Sequence, residues 1–249
     1  PYWFTALIIL IVIAVYLLAG TAAFLLELPN EGLGLYLIAN VALTLVLAAL
    51  VTATRWWKGI GFQPLANRRD LWLYALPASP VLVQLVSILV LGFAPLTTGS
   101  VLTFLLLALL VGFVEETAFR GLILQALAPG GRWQAVIVSS VLFGLVHLMN
   151  GLAGSSTVDL LLQLGYTMAF GFGWAAVTLR TRSIGPLVII HALIDFPAFL
   201  TAESAAGSGF DVLMMGMSAV FIVAFVIFGV VQMRSEPQAQ QLEASPARL

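Results

Sequence analysis

The chain has 249 residues, of which 61% are hydrophobic and 8% are charged, and its formal net charge is −1. A soluble domain carries about 25% charged residues, so this composition excludes an ordinary soluble protein and indicates an integral membrane protein. No basic patch with interleaved aromatic residues is present, so we expect no nucleic-acid partner. The sequence has no cysteine, which excludes disulfides, a thiol nucleophile and cysteine-bound metals.

Apolar runs long enough to cross about 30 Å of hydrocarbon divide the chain into spans. We count eight of them, at 3–26, 33–54, 70–93, 101–128, 133–150, 158–179, 185–200 and 211–232. The first run is too long for a signal-peptide core and has no small-residue cleavage site, so it is predicted to be a retained helix. We therefore expect an all-α polytopic membrane protein with one transmembrane domain over 1–232. The polar stretch 233–249 is predicted to be a disordered cytoplasmic tail.

The basic residues predict the orientation of these spans. Nine of the ten Lys and Arg residues fall in alternate connections or in the tail, at Arg55, Lys58, Arg68, Arg69, Arg132, Arg180, Arg182, Arg234 and Arg248. Cytoplasmic loops carry the excess of Lys and Arg, so both termini are predicted to be cytoplasmic. The expected location is a plasma or inner membrane.

The fourth predicted span contains VEETAFRG, which places Glu115, Glu116 and Arg120 inside the membrane. Each such charge costs roughly 2.5 to 3.5 kcal/mol at a bilayer centre, so charges there usually pair and serve a function. Glu116 and Arg120 are four residues apart and share a helix face, whereas Glu115 is turned about 100° away. The spacing predicts a Glu116–Arg120 ion pair and leaves Glu115 as the candidate general base.

His147 lies in the fifth predicted span, which follows the fourth through the short turn APGGR. Glu115 lies about 15 residues before that turn and His147 about 16 after it, so the two side chains are expected at the same depth of a helical hairpin. Phe143, one turn before His147, is expected to pack beneath its ring.

His191 and Asp195 are four apart on one face of the seventh predicted span. Their distance from the preceding basic loop gives a depth comparable to that of Glu115 and His147. Three helices thus bring Glu, His, His and Asp towards one intramembrane locus.

These motifs resemble those of a known family. EETAFR matches EExxxR, FGLVH matches FxxxH and HALID matches HxxxN/D, in the order found in the CPBP family of type II CAAX prenyl endopeptidases and bacteriocin-processing or immunity proteins. The motif-bearing core runs over 101–200. The resemblance implies an intramembrane endopeptidase in which Glu115 and His147 activate a water, while His191 and residue 195 stabilise the tetrahedral oxyanion. It also implies that Glu116 and Arg120 support the site.

Asp195 departs from the pattern of many relatives, which carry Asn at this position. An ionised Asp would repel an oxyanion. Asp195 is therefore either protonated or orients the His191 ring by accepting its N–H, as carboxylates next to catalytic histidines do. We expect the orienting role.

Cofactor and partner expectations follow from the same residues. No cofactor is expected to be required, although Glu115, His147 and His191 could bind Zn²⁺ with an open position. The compact HExxH motif is missing, so such ligands would have to converge from three helices. The expected partners are the lipid bilayer and a membrane-associated peptide or lipidated protein as substrate.

Other interpretations remain open. Ionisable residues inside spans also mark a transporter or proton relay, and a non-catalytic immunity or scaffold protein could keep the same motifs. The Glu116–Arg120 pair could be purely structural, and either His could be a helix–helix hydrogen-bond partner. A stripe of small residues on the sixth span, Gly165, Ala169 and Gly173, predicts helix packing. Asn150 is predicted to be a helix end, although it could touch the site.

Overall fold

The computed structural model describes residues 1–27, 33–151, 156–201 and 208–235, and most of them are helical. The α-helices are α1 (Tyr2–Leu25), α2 (Leu33–Ala53), α3 (Ala75–Ala78), α4 (Pro80–Leu91), α5 (Thr98–Glu115), α6 (Leu124–Leu127), α7 (Arg132–Val146), α8 (Thr157–Thr181), α9 (Gly185–Leu200) and α10 (Ser208–Arg234). Short 3-10 helices cover Arg68–Tyr74, Ala128–Gly130 and His147–Gly151, and a π-helix covers Glu116–Ile123. The all-α class is confirmed. The predicted tail lies outside the described residues from 236 onwards.

The described helices correspond to the predicted spans, but they differ in whether each is long enough to cross a membrane. Six are long and apolar enough to cross a membrane by length and composition, and a seventh span is obtained if one bent pair is taken together. The remaining predicted span is α9, a shorter apolar helix of 16 residues. The predicted count of eight is therefore reached only when both the bent pair and α9 are included. Large apolar side chains such as Leu18, Leu89 and Val220 are exposed on the bundle surface, as lipid contact requires.

The third predicted span is not one straight helix. Arg68–Ala78 and Pro80–Leu91 meet at an angle of 45°. Pro77 and Pro80 lack a backbone N–H, and each disfavours a helical conformation of the residue before it, so the hydrogen-bond ladder is interrupted here. The half that follows the bend, α4, packs against α9.

Helix α8 lies at the centre of the C-terminal half, packed between α7 and α10. The small-residue stripe makes this approach possible. A Cβ added at Gly173 would lie 2.7 Å from the Phe225 ring of α10, and one added at Gly165 would lie 3.2 Å from Ile222. The predicted packing role of these residues is confirmed.

Helix α5 packs closely against α9, and this contact positions the polar residues of both helices. A Cβ added at Gly112 would lie 2.8 Å from the carbonyl oxygen of Val188, so only glycine permits this approach of the two backbones. Gly112 is three residues before Glu115, and Val188 is three residues before His191. The close approach therefore brings the two glutamates next to His191.

Candidate intramembrane active site

The acidic motif lies where α5 changes into a π-helix. Glu115 is the last residue of α5, and the π-helix begins at Glu116 and ends at Ile123, with all its residues buried. The sequence predicts a regular α-helix through this stretch, because apolar periodicity does not distinguish an i→i+5 turn from an i→i+4 turn. Such π turns are rare and are frequent at functional sites.

The predicted Glu116–Arg120 ion pair is confirmed. Nη1 of Arg120 lies 3.1 Å from Oε1 of Glu116, and both side chains are fully buried, at 1% and 0% exposure. Removing either partner would leave a buried charge uncompensated, which costs about 3 to 5 kcal/mol. The pair is thus a fixed part of the bundle interior.

Glu116 also holds His191. Oε1 of Glu116 lies 2.8 Å from Nδ1 of His191. An ionised carboxylate has only acceptors, and Arg120 keeps Glu116 in an ionic pair, so the Nδ1–H of His191 donates this hydrogen bond. The contact fixes the ring and directs Nε2 to the other side.

Glu115 and Asp195 face that other nitrogen. Oε2 of Glu115 and Oδ2 of Asp195 each lie 3.6 Å from Nε2 of His191. These distances are longer than a hydrogen bond, so both carboxylates border the nitrogen without binding it directly. Oε2 of Glu115 is buried and accepts no hydrogen bond from the described residues.

The hydrogen bond that orients His191 therefore differs from the expectation. The sequence assigned it to Asp195, and the structure gives it to Glu116. The reason is geometric: Asp195 is one turn further along α9 and reaches only the Nε2 side of the ring, whereas Glu116 approaches Nδ1 from the facing helix. Whether Asp195 takes part in catalysis stays a prediction.

His147 is positioned by Phe143 in two ways. Its Nδ1 lies 2.7 Å from the Phe143 carbonyl oxygen, and the two rings meet edge to face with centroids 4.9 Å apart. A carbonyl oxygen only accepts, so Nδ1 carries the hydrogen and Nε2 keeps its lone pair. The predicted packing of Phe143 beneath the ring is confirmed.

A cavity of about 370 Å³ lies between the helices and is lined by His147, His191 and Asp195. Among the described residues that line it, neither Glu115 nor Glu116 is present. The remaining lining is mainly apolar and aromatic, with Pro80, Val83, Gln84, Phe143, Gln163, Tyr166, Thr167, Phe170, Trp174, Ile194, Ala198, Met217, Ser218 and Phe221. Both histidines of the chain thus reach one partly open cavity between the helices.

The structure does not arrange every predicted partner as expected. Glu115 approaches His191 across the α5–α9 contact rather than His147. Within the described part of the chain, no three His, Asp or Glu side chains are grouped so that they could hold a metal ion. The alternative zinc ligands Glu115, His147 and His191 do not form such a group.

Sequence reasoning missed some cavity residues. Trp174 lines the cavity and meets His191 edge to face, with ring centroids 5.5 Å apart. Gln163 also lines it and accepts a 2.9 Å hydrogen bond from Asn150 in the 3-10 helix after α7. Asn150 thus contacts a residue that lines the cavity but does not line the cavity itself. None of the three motifs includes Trp174 or Gln163, and only the folded bundle brings them here.

The fold and this cluster define an all-α polytopic membrane protein with a polar site of two histidines and three carboxylates inside the bundle. Residues 97–197 match the family described as Type II CAAX prenyl endopeptidase Rce1-like. This stretch contains all three motifs, and it is similar to the family that they indicated. Searches of curated proteins and of solved structures give no match to the chain.

Proposed function

We propose that the protein is an intramembrane endopeptidase that hydrolyses a peptide bond in a membrane-associated substrate. The observation that carries this proposal is the convergence of His147, His191 and Asp195 on one cavity, with Glu115 and Glu116 next to opposite nitrogens of the His191 ring. The family match over 97–197 supports the same reaction class.

The water would be activated by Glu115 and His147. Hydrolysis needs a base that takes a proton from a positioned water, and such a base contributes about 10²- to 10⁴-fold to the rate. Oε2 of both glutamates lacks a hydrogen bond from the described residues, but Oε1 of Glu116 already accepts from Arg120 and His191. Glu115 is therefore the freer carboxylate. Nε2 of His147 has a lone pair available, because Nδ1 is used on the Phe143 carbonyl.

His191 would stabilise the charge that develops on the carbonyl oxygen. An oxyanion needs donors already in place, and one such donor is worth about 3 to 4 kcal/mol. Glu116 anchors the ring through Nδ1, so Nε2 is presented in a fixed direction. Because the Nδ1–H is used on Glu116, Nε2 would donate to the oxyanion from the imidazolium form of the ring, in which both nitrogens carry a hydrogen. Fixed donors of this kind need no reorganisation when the charge forms.

The cavity lining favours an apolar, uncharged segment around the scissile bond. Its only ionisable groups among the described residues are Asp195, the two histidines and Tyr166, and none is Lys or Arg. The rings of Phe170, Trp174 and Phe221 offer apolar contact area. A lipidated tail, a free peptide and a membrane-protein segment all remain candidate substrates.

The test uses purified full-length protein with a panel of internally quenched peptides, plain and lipidated, in detergent and in vesicles. We expect cleavage of at least one apolar peptide, with His147→Gln and His191→Gln inactive but folded. A wild-type preparation that cleaves nothing, or variants as active as wild type, would contradict the proposal. Ion uptake into vesicles without cleavage would favour the transporter interpretation instead.

A further inference from the structure

The guanidinium of Arg120 lies between two aromatic rings. Its Cζ atom is 3.9 Å from the centroid of Phe143 and 5.3 Å from the centroid of Trp174. Both distances are within the roughly 6 Å over which a cation is attracted to a ring face, and the attraction is stronger where water is excluded. Arg120 is 1% exposed, so one buried cation contacts both rings.

Each of these rings contacts a different histidine. Phe143 and His147 meet edge to face with centroids 4.9 Å apart, and Trp174 and His191 meet in the same way at 5.5 Å. The interplanar angles, 75° and 76°, are nearly identical. These are the only two histidines in the chain.

We infer that Trp174 is a positioning residue for His191, as Phe143 is for His147, and that Arg120 lies between the two positioning rings. The effect on catalysis rests on the proposed function, whereas the positioning of the histidine rings does not. Trp174 comes from α8 and belongs to none of the three sequence motifs.

Packing rather than hydrogen bonding gives Trp174 this role. Its side chain is 2% exposed, and its Nε1 finds no hydrogen-bond partner among the described residues. His191 is fixed at Nδ1 by Glu116, but a single hydrogen bond leaves the ring free to rotate about it. The indole limits that rotation and so keeps Nε2 directed towards Glu115 and Asp195.

Phe170 provides a matched control. It lies one turn before Trp174 on α8, lines the same cavity and stacks on Trp174, with ring centroids 6.5 Å apart. Within the described part of the chain, its ring partners are other aromatic side chains and neither histidine. Phe170→Leu therefore perturbs the same cavity without removing a ring from either histidine.

The experiment measures the histidine rings directly. Full-length protein with ¹⁵N-labelled histidine should give one set of ring nitrogen signals for each histidine, assigned with His147→Gln and His191→Gln. We expect Trp174→Leu to shift or broaden the His191 signals alone, and Phe143→Leu those of His147 alone. Trp174→Phe should largely restore the wild-type spectrum, and Phe170→Leu should leave both sets unchanged.

Activity supplies a second measurement. Trp174→Leu should lower kcat roughly 10- to 100-fold, as loss of a group that orients a catalytic side chain does. Phe170→Leu should change mainly KM. The inference would be overturned if the His191 signals were unchanged in Trp174→Leu. It would also be overturned if Phe170→Leu changed the His191 signals as much as Trp174→Leu does. If Trp174→Leu does not fold, the wild-type protein decides: a nuclear Overhauser effect between the Trp174 and His191 rings supports the contact, and its absence overturns it. If the wild-type protein has no peptidase activity but the spectra are as expected, the proposed function is rejected and the positioning of the histidine rings is not.

Discussion

One oxygen of Glu116 accepts from two donors, Arg120 and His191. Oε1 lies 3.1 Å from Nη1 of Arg120 and 2.8 Å from Nδ1 of His191. The same carboxylate therefore neutralises the buried cation and orients the ring that borders the cavity. Loss of this carboxylate affects both functions at once, whereas loss of Glu115 affects neither contact.

Glu116→Gln is expected to destabilise the protein. A neutral amide leaves Arg120 buried without a compensating charge, which costs about 3 to 5 kcal/mol. Thermal unfolding in detergent, followed by circular dichroism, should show a clear fall in midpoint relative to wild type and to Glu115→Gln. A midpoint equal to that of wild type would mean that the pair is not needed for stability.

Glu115→Gln is expected to remove activity without destabilising the fold. The amide is nearly the same size, but it cannot take a proton from water, so hydrolysis should fall by about 100-fold or more. The measurement is turnover of the best peptide from the panel, with the unfolding midpoint as control. Full activity in this variant would refute the proposed role of Glu115.

Asp195→Asn tests the carboxylate of α9 that borders Nε2 of His191. Glu116 already supplies the hydrogen bond to Nδ1 of His191, so we expect the variant to retain or increase turnover, because an amide can donate towards an oxyanion. Steady-state kinetics of matched wild-type and variant samples is the measurement. A loss of about 100-fold would instead give Asp195 an orienting role through Nε2.

Metal dependence is tested by removal and replacement. The proposed mechanism uses Glu115 and His147 on water, so activity should survive prolonged chelation, and gently purified protein should contain less than one zinc per chain. Metal analysis and activity are measured on the same sample. Stoichiometric zinc that is lost together with activity, and restores activity when added back, would reverse this assignment.

Topology is tested with single cysteines, because the natural chain has none. Ser208 and Ser235 lie at or just beyond the two ends of α10, so they form a matched pair. The basic loops predict that a cysteine at 235 is labelled only from the cytoplasmic side and one at 208 only from outside. Opposite labelling of either cysteine would reject the predicted orientation.

Local spacing predicted those parts of the site that lie within one helix. The Glu116–Arg120 pair and the packing of Phe143 on His147 each join residues four apart, and such neighbours are determined by helix geometry alone. The Glu116–His191 hydrogen bond joins residues 75 apart and depends on how closely α5 approaches α9. Apolar runs and charged motifs do not encode that approach.

The same limit explains the differences in the fold. Apolar content located the apolar helices, but it did not reveal the 45° bend before Pro80, the short length of α9 or the π-helix that starts at Glu116. Both depend on where backbone hydrogen bonds are lost or shifted, and hydropathy is insensitive to this. Pro77 and Pro80 carried the available signal for the bend.

Helix α9, which carries His191 and Asp195, is too short for an ordinary bilayer. Its 16 residues extend about 24 Å, against about 30 Å of hydrocarbon. Such hydrophobic mismatch is relieved by local thinning of the lipid or by adjustment of the flanking residues, at a modest free-energy cost. The thinnest lipid would then lie beside α9, whose His191 and Asp195 line the cavity where the proposed hydrolysis requires water. Acyl-chain length thus becomes a physical variable that acts on the hydration of the site without any change in the protein.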